Sequence, residues 1–242
     1  MLKKFIAIIT ALTIISICFT SCSNSNASNS KTDLVDKTVS INSFNPDEFE
    51  NVIELTSNPD FKKIYNNIEE LYPDSENIIY GTVNQVSYFD GSGVGNTVYD
   101  FVVEKVYKGN LKENTLISVL TAGGYARLSK HIEVFGDGKF SDYTAEQINN
   151  TLLKTEFMKA PTPKSGDKYL LFLSAPTNNE HPFPDGLYSE IGAFMGRYVK
   201  TNNNFSKYIP EDEVNFYKTK EEPLSLKQIE SKLEKSKTLQ AK

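Results

Sequence analysis

Thiols are nearly missing from this chain. Its two cysteines, Cys18 and Cys22, both fall within the first 22 of 242 residues. Beyond them no disulfide and no thiolate metal site can form, so stability must come from an ordinary apolar core, which a chain of this length can bury. Histidine is just as scarce: His131 and His181 stand about 50 residues apart, and no His-x-x-x-His or Glu-flanked pair sets two imidazoles on one helix face. Positive charge is in deficit, with 26 basic against 31 acidic residues. That balance argues against a nucleic-acid partner and against electrostatic adhesion to anionic lipid, since both need a basic patch. Arginine is reduced to Arg127 and Arg197 beside 24 lysines, tryptophan is absent, and there is no internal repeat. The lysine and asparagine excess reads as the bias of an AT-rich coding sequence.

The longest apolar run, Phe5 to Phe19, is broken only by Thr10, Thr13 and Ser16. At about 15 residues it is too short to span a bilayer comfortably. With Lys3 and Lys4 before it, the run has the layout of a secretory signal. It leads into Phe19-Thr20-Ser21-Cys22, which resembles a lipobox despite phenylalanine in place of the usual leucine. The expectation is a lipoprotein signal peptide over 1–21, with Cys22 lipidated as the mature N-terminus. The protein would then be lipid-anchored (diacylglyceryl, palmitate) on the extracytoplasmic face of the cell membrane. Losing Lys3 and Lys4 leaves 24 basic against 31 acidic residues, a net of about −7. Residues 23–30, all Ser, Asn or Ala, read as a polar tether, and 22–57 as a whole is weakly patterned.

From residue 58 onward one β-rich α+β domain is expected, running to residue 242. Asn58-Pro59 forms a helix start, and Phe61, Ile64, Tyr65, Ile68, Leu71 and Tyr72 share a helix face that Pro73 ends. From Asn77 the period becomes two, and the turn Asp90–Asn96 separates two alternating runs into a long hairpin, followed by a third strand, Thr115 to Thr121. Residues 125–165 interrupt this meander as a helical insertion. Thr144 and Gln147 have capping-box spacing, and Ile148, Leu152, Leu153 and Phe157 supply an apolar helix face. Lys168 to Ser174 reads as a strand buried on both faces, Phe205 to Ile209 as a short strand, and Leu224, Leu226, Ile229 and Leu233 as a C-terminal amphipathic helix.

Three pieces fall in order: Ile78-Ile79-Tyr80-Gly81-Thr82-Val83, then Thr97 to Val106 with Tyr107-Lys108-Gly109, then Gly166-Asp167-Lys168-Tyr169-Leu170-Leu171-Phe172-Leu173. The order resembles uncharacterised extracytoplasmic lipoproteins of Gram-positive bacteria and, more distantly, the barrel of netrin-type domains and tissue inhibitors of metalloproteases. The resemblance covers about residues 60–200 and implies a small antiparallel OB/netrin-like β-barrel with peripheral helices. It carries no inhibitory residue over, because those inhibitors use a free N-terminal cysteine, whereas Cys22 is expected to be acylated some 55 residues before the first barrel strand.

Catalytic patterns are weak. Gly91, Gly93 and Gly95 sit between two strands rather than before a helix and lack a Walker lysine, so they mark a turn. Ser92 fails the nucleophile-elbow context. Asp137, Asp142 and Glu146 match no EF-type calcium loop. No metal or cofactor is implied. Aromatic residues in the irregular segments are the better lead, because loops on a rigid scaffold carry binding surfaces. The candidate binding residues are Tyr125, His131, Phe135, Tyr143, His181, Phe183 and Tyr188. The favoured function is a non-enzymatic interaction module whose 123–165 insertion and 175–188 loop meet a protein, peptide or cell-wall partner. The alternative is an extracytoplasmic hydrolase or metal-dependent enzyme using His131, His181 and acidic residues of the insertion.

Overall fold

The computed structural model describes residues 34–57, 59–180, 182–210, 216–217 and 220–240; the leader, Cys22, the tether, Asn58 and His181 lie outside them. Along the chain, β1 (Val35–Lys37), β2 (Asn51–Ser57) and α1 (Ile68–Asp74) precede the hairpin of β3 (Asn77–Phe89) and β4 (Asn96–Lys108). Next come β5 (Thr115–Ala122), β6 (Gly124–Arg127), α2 (Leu128–Phe135), α3 (Ala145–Asn149) and β7 (Thr151–Phe157). The rest is β8 (Lys168–Leu173), β9 (Tyr188–Ser189), β10 (Arg197–Thr201), β11 (Asn204–Lys207), β12 (Leu224–Ser225) and α4 (Leu226–Gln240). The β-rich α+β class is as expected, with strands arranged in a nine-stranded and a three-stranded sheet.

The large sheet runs β1-β5-β4-β3-β8-β10-β11-β12, with β9 also paired to β5. Its central strands are apolar on both faces, β8 most clearly. Leu170 and Phe172 join Ile78 and Tyr198 in a core covered by Ile68 and Leu71 of α1 and Ile229 and Leu233 of α4. Tyr169, Leu171 and Leu173 point the other way, to Ile79, Val83, Phe101 and Val119. Period-two alternation places every other side chain on each side.

Among the described residues the closed barrel is not formed. Closure would require β5 to pair along its free edge with β8, but that edge is taken by parallel pairing with β1 and β9. β9 reaches β8 through the bridge of Glu190 with Leu173 and flanking hydrogen bonds from Ser174 N–H to Ser189 O (2.9 Å) and Ile191 N–H to Phe172 O (2.9 Å). Gly192, with φ of 62°, then turns the chain into a 3-10 segment, and no longer ladder develops.

Two helix expectations are corrected. The helix expected from Asn58 begins only at Ile68, where Asn67 caps it by accepting from Glu70 N–H (3.0 Å). Phe61 is held outside any helix by edge-on contacts with Phe157, Phe194 and Phe216. The helix expected from Thr144 has its capping box but stops at Asn149. Leu152, Leu153 and Phe157 belong instead to β7, which pairs in parallel with β2 over all seven of its residues. Residues 51–57, weakly patterned by themselves, supply the partner that overrides the helical period. Part of the expected helical insertion is therefore the small sheet, β2-β7-β6. Among the described residues, no helix is long and apolar enough to cross a membrane.

Candidate functional site

The chain leaves the large sheet at a glycine corner. Gly123 and Gly124 take φ of 91° and 134°, and a Cβ on Gly124 would stand 2.7 Å from Thr97 Oγ1. Only glycine combines that backbone with that approach. β6 then crosses the end of the β3–β4 hairpin and is clamped there. The Asp90 carboxylate, 2% exposed, accepts from Arg127 Nε (2.8 Å), Nη2 (3.0 Å) and backbone N–H (3.1 Å). Such a fork is a strong charge-assisted contact.

Between corner and clamp stands Tyr125, its ring edge-on to Tyr88 at 4.9 Å. Tyr88 faces it because of a bulge at Asn84: Val83 pairs with Phe101 and Gln85 with Asp100, leaving Asn84 extra. One extra residue exchanges the faces of a strand, so the inward side of β3 passes from Ile79 and Val83 to Val86 and Tyr88. Phe44 completes the group, 6.4 Å from the Tyr88 ring and 5.2 Å from the Arg127 guanidinium. Burial raises the Tyr88 phenol above its ordinary value of 10.0; Tyr125 and Asp47 add to this and Lys154 opposes it.

A recess opens on each side of the tyrosine pair. One, of about 530 Å³, is lined by Phe44, Asn45, Asp47, Gln85 and Ser87. The other, of about 250 Å³, is lined by Gly123, Thr155, Phe157, Lys159, Pro161 and Lys164. Together they match the scale of small-molecule sites, roughly 300–1,000 Å³. Thr155 is 8% exposed, and its hydroxyl has no hydrogen-bond partner among the described residues. Lys154 is held between Glu156 (2.7 Å) and Glu54 (3.1 Å), and Lys159 and Lys164 also line this recess.

The outer wall of the smaller recess is tied down from inside the protein. Met158 and Lys159, at φ of 50° and 57°, form an unusual pair of left-handed non-glycine residues. Met158 is fixed by its N–H to Ser57 O (2.9 Å) and by Tyr208 OH to its carbonyl (3.0 Å). Pro161 O accepts from Arg197 Nη2 (2.8 Å). Arg197 is buried, its Nη1 3.6 Å from Glu190, whose carboxylate accepts from Tyr99 OH (2.6 Å) and Thr121 Oγ1 (3.2 Å). Burial pushes the Glu190 carboxyl up, and Arg197 is the main influence pulling it back.

Of the sequence candidates among the described residues, only Tyr125 lines this cleft. His131 is engaged structurally, with Nδ1 2.9 Å from Gly93 O and its ring against Phe135 (5.0 Å) and Phe140 (6.0 Å). Tyr143 continues that cluster through Phe140 (5.5 Å), leaving Phe135 the most exposed member at 60%. Phe183 packs on Phe89 (5.7 Å) on the hairpin's other face, and Tyr188 pairs with Val119 and packs against the inner core. The candidates thus divide among separate places, and His181 lies outside the described residues. Among the described residues, no group of three or more His, Cys, Asp or Glu could hold a metal ion.

Tyr88, Phe44, Asp90 and Thr155 were not legible as site residues. A signal for the supports existed: the two arginines of a lysine-rich chain are the ones that meet buried carboxylates, a task for a planar fork. Searches against family models, curated proteins and solved structures found no match for the chain, so its own geometry is what bears on function.

Proposed function

We propose that this protein is a non-enzymatic binding module, held by a lipidated Cys22 on the extracytoplasmic face of the cell membrane, and that its ligand seats in the cleft around Tyr88 and Tyr125. The observation that carries the reading is the cleft itself: two recesses meeting at a pair of half-buried phenol rings, with polar groups on both sides. Concave sites with aromatic walls and a few placed polar groups are where ligands bind. The anchoring half of the proposal rests on the sequence of residues 1–22.

Two measurements test it. The full chain expressed in a Gram-positive host should incorporate labelled palmitate and fractionate with membranes, whereas C22S should be unlabelled and released. Isotope-labelled chain titrated with solubilised cell-envelope material should show amide shifts clustered at Phe44, Tyr88 and Tyr125, without turnover of the material. Shifts confined to other surfaces would reject the cleft as the site.

A further inference from the structure

β3 outlasts its neighbour. β8 pairs with it from Asn77 to Thr82, and the loop after β7 covers the next step through Val83 N–H to Asp167 O, Gly166 N–H to Val83 O and Ser165 Oγ to Asn84 O. From Gln85 to Phe89, β3 pairs with β4 alone among the described residues. In an antiparallel pair alternate residues turn both N–H and C=O away from the partner. This stretch therefore presents a short row of unused backbone donors and acceptors. Gln85, Val86, Ser87 and Tyr88 all line the larger recess, so the row faces the cleft.

Free edges are usually guarded by charge, proline or distortion. The outer edge of the small sheet follows that rule, since β2 carries exposed Glu54 at its centre. Gln85 to Phe89 holds neither a charged residue nor proline. It lies beside the larger recess instead.

Resting on the binding-module reading, we infer that the ligand is an extended peptide segment that adds as a strand along Gln85–Phe89, its side chains against Phe44 and Tyr125. Strand addition gives affinity through the main chain and selects side chains through pockets at alternate positions. A glycan would use the rings but would leave the backbone row unpaired.

The test selects heptapeptides from a random displayed library on the purified full chain, with Y88A as the counter-selection. The consensus peptide is then synthesised in plain form and with alternate backbone nitrogens methylated. Enrichment of a consensus sequence over Y88A is expected, together with protection from hydrogen exchange of the outward amides among Gln85–Phe89. Methylation leaves the side chains and the protein untouched but removes several hydrogen bonds, so binding should weaken about tenfold or more. No enrichment over Y88A, equal binding of the methylated twin, or protection elsewhere would each overturn the inference. If a soluble N-acetylglucosamine–N-acetylmuramic acid disaccharide shifts the cleft residues and no peptide does, the ligand is a glycan and the peptide inference fails while the binding module stands. A cleft silent to peptide, disaccharide and envelope material removes both.

Discussion

Two aromatic groups lie near the two ends of the glycine-rich hairpin turn, and they differ in what their polar neighbours do. Around His131, the rings of Phe135, Phe140 and Tyr143 meet at tilted or edge-on angles, Phe140 packs with Leu128 and Leu153, and the imidazole is bonded to the hairpin turn. Around Tyr88, the rings of Phe44 and Tyr125 leave space on both sides, with a buried hydroxyl and a strand edge unused. The first group fastens α2 and the following 3-10 turn to β7. The second has the open, partly polar character of a surface that awaits a ligand. Aromatic content alone does not separate them; satisfied and unsatisfied polar groups do.

If that contrast holds, the largest stability losses come from the closed group and from the supports beneath the open one. F140A deletes a ring 4% exposed from the core of the insertion and should cost about 3–5 kcal/mol, read as a lower denaturation midpoint at unchanged slope. R197M should cost a similar amount, about 3–5 kcal/mol, because Glu190 would remain buried without its counter-charge. The two losses should differ in their side effects. R197M also frees Pro161 and the wall of the smaller recess, so it should perturb amide signals of 158–164, whereas F140A should perturb α2 and leave Tyr88 and Tyr125 unshifted.

How much of this was legible follows from which contacts are local. The hairpin, β5 and β8 were readable because period-two alternation survives in each strand by itself, and α4 because Ile229 and Leu233 repeat at helical spacing. β7 was not, because Leu152 and Leu153 fit a helix face equally well, and only pairing with β2, about 100 residues earlier, makes the segment a strand. The open barrel had the same cause: β1 and β9, of three and two residues, carry no signal of their own yet occupy the edge of β5. Among site residues Tyr125 was found as an aromatic of the insertion. Tyr88 was assigned to the hairpin pattern, because the bulge that brings it to the cleft is set by tertiary pairing rather than by composition.

A third, smaller effect lies on β11 and serves as an internal reference. Lys207 is largely buried against Tyr217 (4.6 Å) and Tyr198 (5.7 Å), and burial lowers its ammonium to about 8 from an ordinary 10.5, with Glu221 and Glu70 opposing. The unfolded chain holds this proton more tightly, so its contribution to stability is present above pH 10.5 and is lost as pH falls through about 8. Between those limits the slope against pH should flatten in K207M, a difference of up to about 3 kcal/mol across the window. Chemical denaturation at pH 7, 8, 9 and 10 measures it, and F140A should keep the wild-type slope. Smaller again, T144A removes the capping box of α3 and should cost about 1 kcal/mol, detectable as local exchange in 145–149.

The sharpest form of the contrast is a substitution with almost no effect on stability. Tyr125 is half-buried on an edge strand, and its ring contact with Tyr88 is worth about 0.5–1.5 kcal/mol beyond the area it covers. Y125A should therefore lower the denaturation midpoint only slightly and leave β6 in place, since the Asp90–Arg127 clamp and the ladder with β7 hold that strand independently. Yet it removes one wall from both recesses at once, and peptide selected on the wild-type chain should lose most of its binding. Y125F keeps the ring and should keep most of that binding. A fall in stability as large as that of F140A, with peptide binding retained, would mean that Tyr125 packs the fold as His131 does, and the distinction between the two aromatic groups would collapse.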